Sequence, residues 1–215
     1  MRKIRFTNEE YYHIFNRGVD KREIFADQKD LARFFQSMSE FNTLTPTGGI
    51  YAASFHKNNP LRNSVSKSEK LVDFICYCLN PNHFHFMIKQ IADRGIEKFM
   101  HRLGLGYSKY FNKKYERNGS LFQGPFKAVH INSDEYLLHL SAYINLNNKV
   151  HGPSGTFYKS SWEEYLKGAE KADGRFCEKE IIIGQFKNID RYKNFAEESL
   201  GNIRERKELE KLLLE

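Results

Sequence analysis

Along this 215-residue chain the apolar positions repeat every second residue in some stretches and at helical spacing in others, and the alternation predicts the elements in order. Residues 11–16 (YYHIFN) are rich in strand formers and end at the turn signal Arg17-Gly18, which predicts a first strand. Asp27 is placed to cap a helix over 28–42, in which Leu31, Phe34, Phe35 and Met38 recur on one face. Residues 43–70 combine an apolar run at 50–55 with Asn58, Asn59 and Pro60, which predicts a strand followed by a polar, mobile loop. Two further strands, 71–79 and 83–90, flank the turn signal Asn80-Pro81-Asn82. A helix is expected over 96–115 despite Gly104 and Gly106, whose small size predicts close approach to another backbone. A last strand spans 126–131, and Asn132 or Ser133 then caps a helix through about Asn147, with Asp134 and Glu135 in its first turn.

Strand, helix, hairpin, helix, strand is the order of a ferredoxin-like α+β sandwich, an antiparallel sheet with helices against one face. Residues 1–152 carry this pattern, with the helix from Ser133 as an addition. Residues 153–215 form an extension continuous with it, in which the periodicity weakens to a short helix at 162–167 and a charged final helix at 202–215 that has few apolar positions and reads as a solvated or partner-binding tail.

The most informative stretch is CYCLNPNHFHFMIK, residues 76–89. On a strand, residues i and i+2 share a face, so Phe84, Phe86 and Ile88 point one way and His83 and His85 the other. Two adjacent imidazoles can supply neutral nitrogens to a divalent cation; the same spacing also fits two half-buried, hydrogen-bonded histidines. A metal site needs a further ligand, and phosphate chemistry needs a nucleophile. Of twelve tyrosines, only Tyr12 and Tyr143 have an amide side chain four residues on. Tyr12 and Asn16 lie on a strand, about 13 Å apart, whereas Tyr143 and Asn147 lie one helical turn apart on one face.

A formal charge of +7, a pI near 9.2 and 14% aromatic residues suit a nucleic-acid partner. Lys109, Lys113, Lys114 and Arg117, interleaved with Tyr110 and Phe111, could follow a phosphate backbone, as could Arg2, Lys3 and Arg5 near the N-terminus and Lys127 on the last strand. Lys109 and Lys113 fit an ordinary solvated helix face equally well, and Phe111 fits a core. Three cysteines, Cys76, Cys78 and Cys177, are too few and odd in number for a secreted disulfide framework. No apolar run nears the roughly 18 residues that span a bilayer, and the N-terminus lacks a signal-peptide core, so a cytoplasmic protein with no membrane partner is expected.

Five motifs, YHIFNRG from Tyr12, LNPNHFHFMI from Leu79, YSKYFNKKYERNGSLFQGPFKA from Tyr107, EYLLHLSAYINLN from Glu135 and SSWEEYL from Ser160, resemble those of the REP-associated tyrosine transposases, in the same order. These are single-tyrosine members of the HUH transposases, which act on single-stranded DNA. The resemblance implies a catalytic domain over 1–152 in which His83, His85 and Asn147 bind Mg²⁺ or Mn²⁺ and Tyr143 is the nucleophile. It implies metal-dependent nicking and strand transfer through a 5′-phosphotyrosine, on single-stranded DNA with hairpin structure, by a monomer or a homodimer. The chain departs from the family pattern at Asn148, where proline is usual, at Asn145, where histidine is common, and at Pro125, where arginine is frequent. Two rival functions remain: a non-enzymatic nucleic-acid binding protein derived from a transposase, and a metal phosphodiesterase that uses water.

Overall fold

The computed structural model describes residues 4–45, 70–150, 157–167 and 176–212. The strand and loop expected within 43–70 fall largely outside these residues, as do Arg2 and Lys3.

Five strands form one antiparallel sheet: β1 (Tyr11–Arg17), β2 (Val72–Asn80), β3 (His83–Gln90), β4 (Lys127–Ile131) and β5 (Lys159–Ser160), in the spatial order β4-β1-β3-β2-β5. The first four have the ferredoxin-like order; β5, which the hydrophobic pattern did not reveal, extends the β2 edge. The helices are α1 (Gln28–Glu40), α2 (Gly95–Lys114), α3 (Asp134–Asn145), α4 (Asn147–Val150), α5 (Trp162–Leu166), α6 (Glu180–Ile183) and α7 (Ile189–Leu212).

Helices cover both faces of the sheet, where one covered face was expected. Phe84 and Phe86 of β3 meet Phe34 of α1, which in turn packs edge-on against Tyr107 of α2, and Phe74 of β2 meets Phe99 of α2. On the other face, His85 meets Tyr143 of α3 and Asn80 bonds Asn147 of α4. This two-sided cover is why β2 and β3 read as nearly unbroken apolar runs and are almost wholly buried. β4, an edge strand, is mostly exposed.

One irregularity decides which β2 residues face the histidines. The register shifts at Ile75, so that Phe74 pairs with Ile88 but Cys76, Cys78 and Asn80 pair with Met87, His85 and His83. Directly paired residues share a face, so beyond the bulge β2 turns its cysteines and Asn80 toward the histidine side. The hairpin tip is also held from outside: the carbonyl of Pro81 accepts from Ile24 and Phe25, and that of Asn82 from Gly18.

Local chemistry explains the helix ends. Asp27 caps α1 through Asp30 N, and Ser133 caps α3 through Tyr136 N. Gly106 does sit in a tight place, but its neighbour is the ring of Phe41 and not a backbone; at Gly104 no described atom lies within 4 Å of where a Cβ would be. Close backbone approach occurs instead at Gly95, where any Cβ would collide with the Leu71 carbonyl oxygen.

The region after residue 152 contributes to the same core. Tyr165 and Tyr192 are fully buried, Tyr165 donates to the Ile75 carbonyl at the bulge, and Ser161 N donates to the Tyr77 carbonyl. The charged C-terminal helix begins at Ile189, well before the expected 202, and its first turns bury Tyr192, Ala196 and Leu200.

A fully buried carboxylate joins α1 to α2. Asp30 accepts from Ala26 N (3.0 Å), Tyr110 (3.0 Å), Tyr115 (2.7 Å) and Lys114 (2.6 Å), and Lys114 also pairs with Asp27. Burial disfavours the Lys114 charge, but its bonds to Asp27 and Asp30 outweigh this and raise its pKa. Asp30→Ala strips these donors of their acceptor. It is expected to lower the unfolding free energy by roughly 3 kcal/mol, the low end for a broken buried pair because Lys114 can reach solvent; the shift of a urea unfolding midpoint measures it.

Candidate active site

The histidine face of β3 is flanked by β1, whose register places Arg17 opposite His83, Phe15 opposite His85 and His13 opposite Met87. A cleft of about 590 Å³ opens there, lined by Phe15, Arg17, Lys21, His83, His85 and Lys127, among others. Three cations therefore share a concavity with the two imidazoles, an arrangement that suits a polyanion. Arg17 Nε donates to Gln123 Oε1, which fixes the guanidinium at the rim. Lys21 and Asp20 adopt left-handed backbone (φ 59° and 54°), which costs non-glycine residues about 1–3 kcal/mol each.

The hydrogen bonds around His83 define its tautomer. Asn82 Nδ2 donates to the Lys21 carbonyl, so Asn82 Oδ1 is the acceptor for His83 Nδ1–H at 2.6 Å. The His83 Nε2 lone pair is then directed inward, where it lies 3.1 Å from Asn147 Oδ1, a second acceptor. Asn80 Nδ2 donates to both, at 3.0 Å to Nε2 and 2.8 Å to Oδ1, so the two lone pairs converge on one point. Cis ligands of a hard octahedral ion stand about 3 Å apart. His83 Nε2 and Asn147 Oδ1 thus fit adjacent positions on a divalent cation that would displace the Asn80 amide. Among the described residues no three His, Cys, Asp or Glu side chains cluster as a metal site, so the candidate set is two imidazoles and an amide.

The His85 ring lies 5.2 Å from that of His83 and 5.5 Å from that of Tyr143, centroid to centroid. Its Nδ1 is 2.9 Å from Nε2 of His13, a residue the sequence reading did not single out. Burial pushes the pKa of His13 down to about 4, so it is neutral at physiological pH.

Tyr143 and Asn147 come together as their spacing predicts, but not on one unbroken helix. α3 ends at Asn145, Leu146 leaves helical geometry, and Asn147 opens α4. Burial raises the Tyr143 pKa above the ordinary phenol value, and the Asn147 amide offsets part of the rise. Among the described residues, the buried Asn147 Nδ2 has no partner at hydrogen-bond geometry, although its amide lies close enough to Tyr143 to favour the phenolate. The break is held in place by Asn145, whose amide donates to Tyr192 (2.8 Å) and accepts from Ser161 (2.6 Å), tying α3 to α7 and to the chain that follows β5.

The basic residues expected to touch DNA are not gathered at this cleft. Of those that are described, only Lys127 lines it. Lys109 and Lys113 are exposed on α2, which covers the opposite face of the sheet. Tyr110 and Lys114 are bound to Asp30, Phe111 is buried, and Arg117 lies over the Phe111 ring while donating to Asn112. Arg5 is exposed near Tyr12, whose hydroxyl meets the Arg5 carbonyl. The cleft cations that the sequence reading missed, Arg17 and Lys21, follow directly on the strand motif; alternation alone puts His13, Phe15 and Arg17 on one face of β1.

The ferredoxin-like sheet thus carries a His-x-His pair on the inner strand β3, with Tyr143 facing His85 from the covering helix α3. Residues 61–147 match the family described as "Transposase IS200 like". The fold is shared with a solved protein described as "Structure of the REP associates tyrosine transposase bound to a REP hairpin", at 12% identity and a TM-score of 0.52, over 81% of this chain and 90% of that one. No protein with a curated description matches the chain. Among the described residues no helix is long and apolar enough to cross a membrane.

His13 also gives the site a pH signature. Its folded pKa, about 4, lies below the ordinary 6.5, so its contribution to stability is present above pH 6.5 and is lost as the pH falls toward 4 while the unfolded chain takes up a proton. His13→Phe has nothing to protonate and is expected to remove roughly 2 kcal/mol of that acid sensitivity between pH 7 and pH 4.5. Unfolding free energies of both proteins at pH 7 and pH 4.5 measure it.

Proposed function

We propose that this protein nicks and rejoins single-stranded DNA through a covalent bond to Tyr143, with a divalent cation, Mg²⁺ or Mn²⁺, held by His83, His85 and Asn147. The observation that carries the reading is the convergence of the His83 Nε2 and Asn147 Oδ1 lone pairs beside Tyr143. The family match and the shared fold support DNA processing as the general activity. The solved neighbour is described as bound to a REP hairpin, and hairpin-bearing single strands are accordingly the proposed substrate here.

The ion, when bound, supplies positive charge at the scissile phosphate and leaves coordination positions for its oxygens. Arg17, Lys21 and Lys127 hold the flanking backbone in the cleft. The Tyr143 oxygen attacks phosphorus and the bond to the 3′ oxygen breaks. The phenolic proton passes to solvent or a base, the leaving oxygen takes up a proton, and a 5′-phosphotyrosine with a free 3′-hydroxyl results. Attack by a 3′-hydroxyl on that linkage reverses the exchange, one phosphoester for another, without ATP. Because burial holds the Tyr143 pKa above the ordinary value, ionisation depends on nearby positive charge and on a donor to the phenolate, and the buried Asn147 Nδ2 is available as one.

Ligand substitutions test the metal centre. His83→Ala and His85→Ala are each expected to abolish nicking and to weaken Mn²⁺ binding by more than the about 10–100-fold typical of losing a supporting residue. Asn147→Ala is expected to be milder, because water can replace an amide oxygen. Parental cutting by both histidine variants with Mg²⁺ would remove the metal assignment.

Tyr143→Phe tests the nucleophile, since it deletes one hydroxyl and keeps the ring against His85. With labelled hairpin-bearing single strands and Mn²⁺, the variant is expected to bind DNA with nearly parental affinity, because phosphate and base contacts supply binding. The protein-linked strand on a denaturing gel should disappear together with nicking. Cutting that persists without an adduct would instead identify a water-based phosphodiesterase, and a parental protein that binds but never cuts would identify a non-enzymatic binder.

A further inference from the structure

The two candidate ligand histidines are oriented by different means. His83 is held by the side chain next to it in sequence, Asn82, which accepts from its Nδ1–H. His85 has its Nδ1 against a residue 72 positions away on the neighbouring strand, His13 Nε2 at 2.9 Å. His13 and His85 are both buried, 7% and 8% exposed, and their rings meet edge to edge, nearly parallel at 22° with centroids 5.1 Å apart.

An imidazole that offers Nε2 to a cation must carry its proton on Nδ1, and that proton needs an acceptor. Of two neutral histidines in a hydrogen bond, one donates and one accepts, so the pair has two arrangements. If His13 donates, the His85 proton sits on Nε2 and blocks coordination there. If His85 donates, Nε2 presents a lone pair, as His83 Nε2 does.

We propose that His13 is a positioning residue: it accepts the Nδ1–H of His85 and so fixes the tautomer and ring plane in which His85 Nε2 can bind the cation. The proposal rests on the metal reading of His83, His85 and Asn147 but is separable from it, because the tautomer exists without the ion. It also gives the strand motif YHIFNRG a physical role at its second position. β1 and β3 pair in a register that sets His13 opposite Met87, one step along the same face from His85. Phe15 packs against both His13 (centroids 4.7 Å apart) and His85 (5.7 Å), its ring inclined 30° and 24° to theirs.

The test uses the full chain in three forms, wild type, His13→Phe and His13→Gln. Long-range ¹H–¹⁵N correlation spectra of the metal-free proteins assign the His85 tautomer, and calorimetric titration with Mn²⁺ measures affinity. The wild type is expected to show His85 protonated on Nδ1. His13→Phe should shift His85 toward the Nε2–H form and weaken Mn²⁺ binding about 10–100-fold. His13→Gln, whose amide oxygen can accept, should recover affinity to within a few-fold of wild type, which a merely space-filling role would not produce. A wild-type His85 protonated on Nε2, or a His13→Phe protein with an unchanged tautomer and parental Mn²⁺ affinity, overturns the proposal. If His13→Phe does not fold, the wild-type tautomer and His13→Gln still decide. Absence of Mn²⁺ binding in the wild type would defeat the metal reading instead, and the two failures are told apart because the tautomer is read with no metal present.

Discussion

The register between β1, β3 and β2 is the constraint on which the rest of this structure depends. A strand has only two faces, so a slip of one residue would send His83 and His85 into the aromatic core and Phe84 and Phe86 into the cleft. That slip is opposed from both sides. Phe34, Phe99 and Tyr107 enclose the phenylalanine face, and the hairpin tip is bonded to the segment 18–25 through the Pro81 and Asn82 carbonyls. The bulge at Ile75 completes the arrangement by placing Asn80 across from His83, and Tyr165 occupies the bulged carbonyl.

A buried polar site is tolerated only where its groups are paired. Here the pairing organises the chemistry. Asn82 and His13 meet the Nδ1 atoms of the two histidines, Asn80 bridges the His83 nitrogen and the Asn147 oxygen, and Asn147 Nδ2 is left without a hydrogen-bond partner among the described residues. The amides carry no charge, and Arg17, Lys21 and Lys127 supply positive charge at the cleft wall. Charge near a neutral ligand set attracts a phosphate backbone without competing for the cation's place between the imidazoles.

The helix that carries Tyr143 is positioned from the far end of the chain. Asn145, Ser161 and Tyr192 form one hydrogen-bonded group, and Tyr192 is fully buried against Tyr165 and Phe186. The segment after residue 152 is thereby coupled to the placement of Tyr143 and Asn147, although none of its described residues lines the cleft. Asn145 stands where histidine is common in the family the motifs resemble, and its amide here both accepts and donates within that group.

Much was legible in the sequence because it depends on local chemistry. Period two predicted β1, β2 and β3, helical spacing predicted α1 and α2, caps at Asp27 and Ser133 marked helix starts, and the i, i+2 histidines and i, i+4 tyrosine and asparagine could be read as neighbours from backbone geometry alone. The same local signals were present but unread for α7, where Asn188 caps Arg191 N and Tyr192, Ala196 and Leu200 repeat at helical spacing. Other features had no local signal. Nothing in YHIFNRG says that His13 will meet His85 on another strand, because strand pairing is set by how two helices and a hairpin pack together. Nor does composition say that Lys114 and Tyr110 will be bound by Asp30, since a basic helix face looks the same to the sequence whether it faces water or a buried carboxylate. Local chemistry set the main strands and helices of the sheet and the short-range pairs of functional groups. Tertiary structure decided which pairs met, which cations remained at the cleft and which tautomers the histidines could hold, because those depend on contacts between residues far apart in the chain.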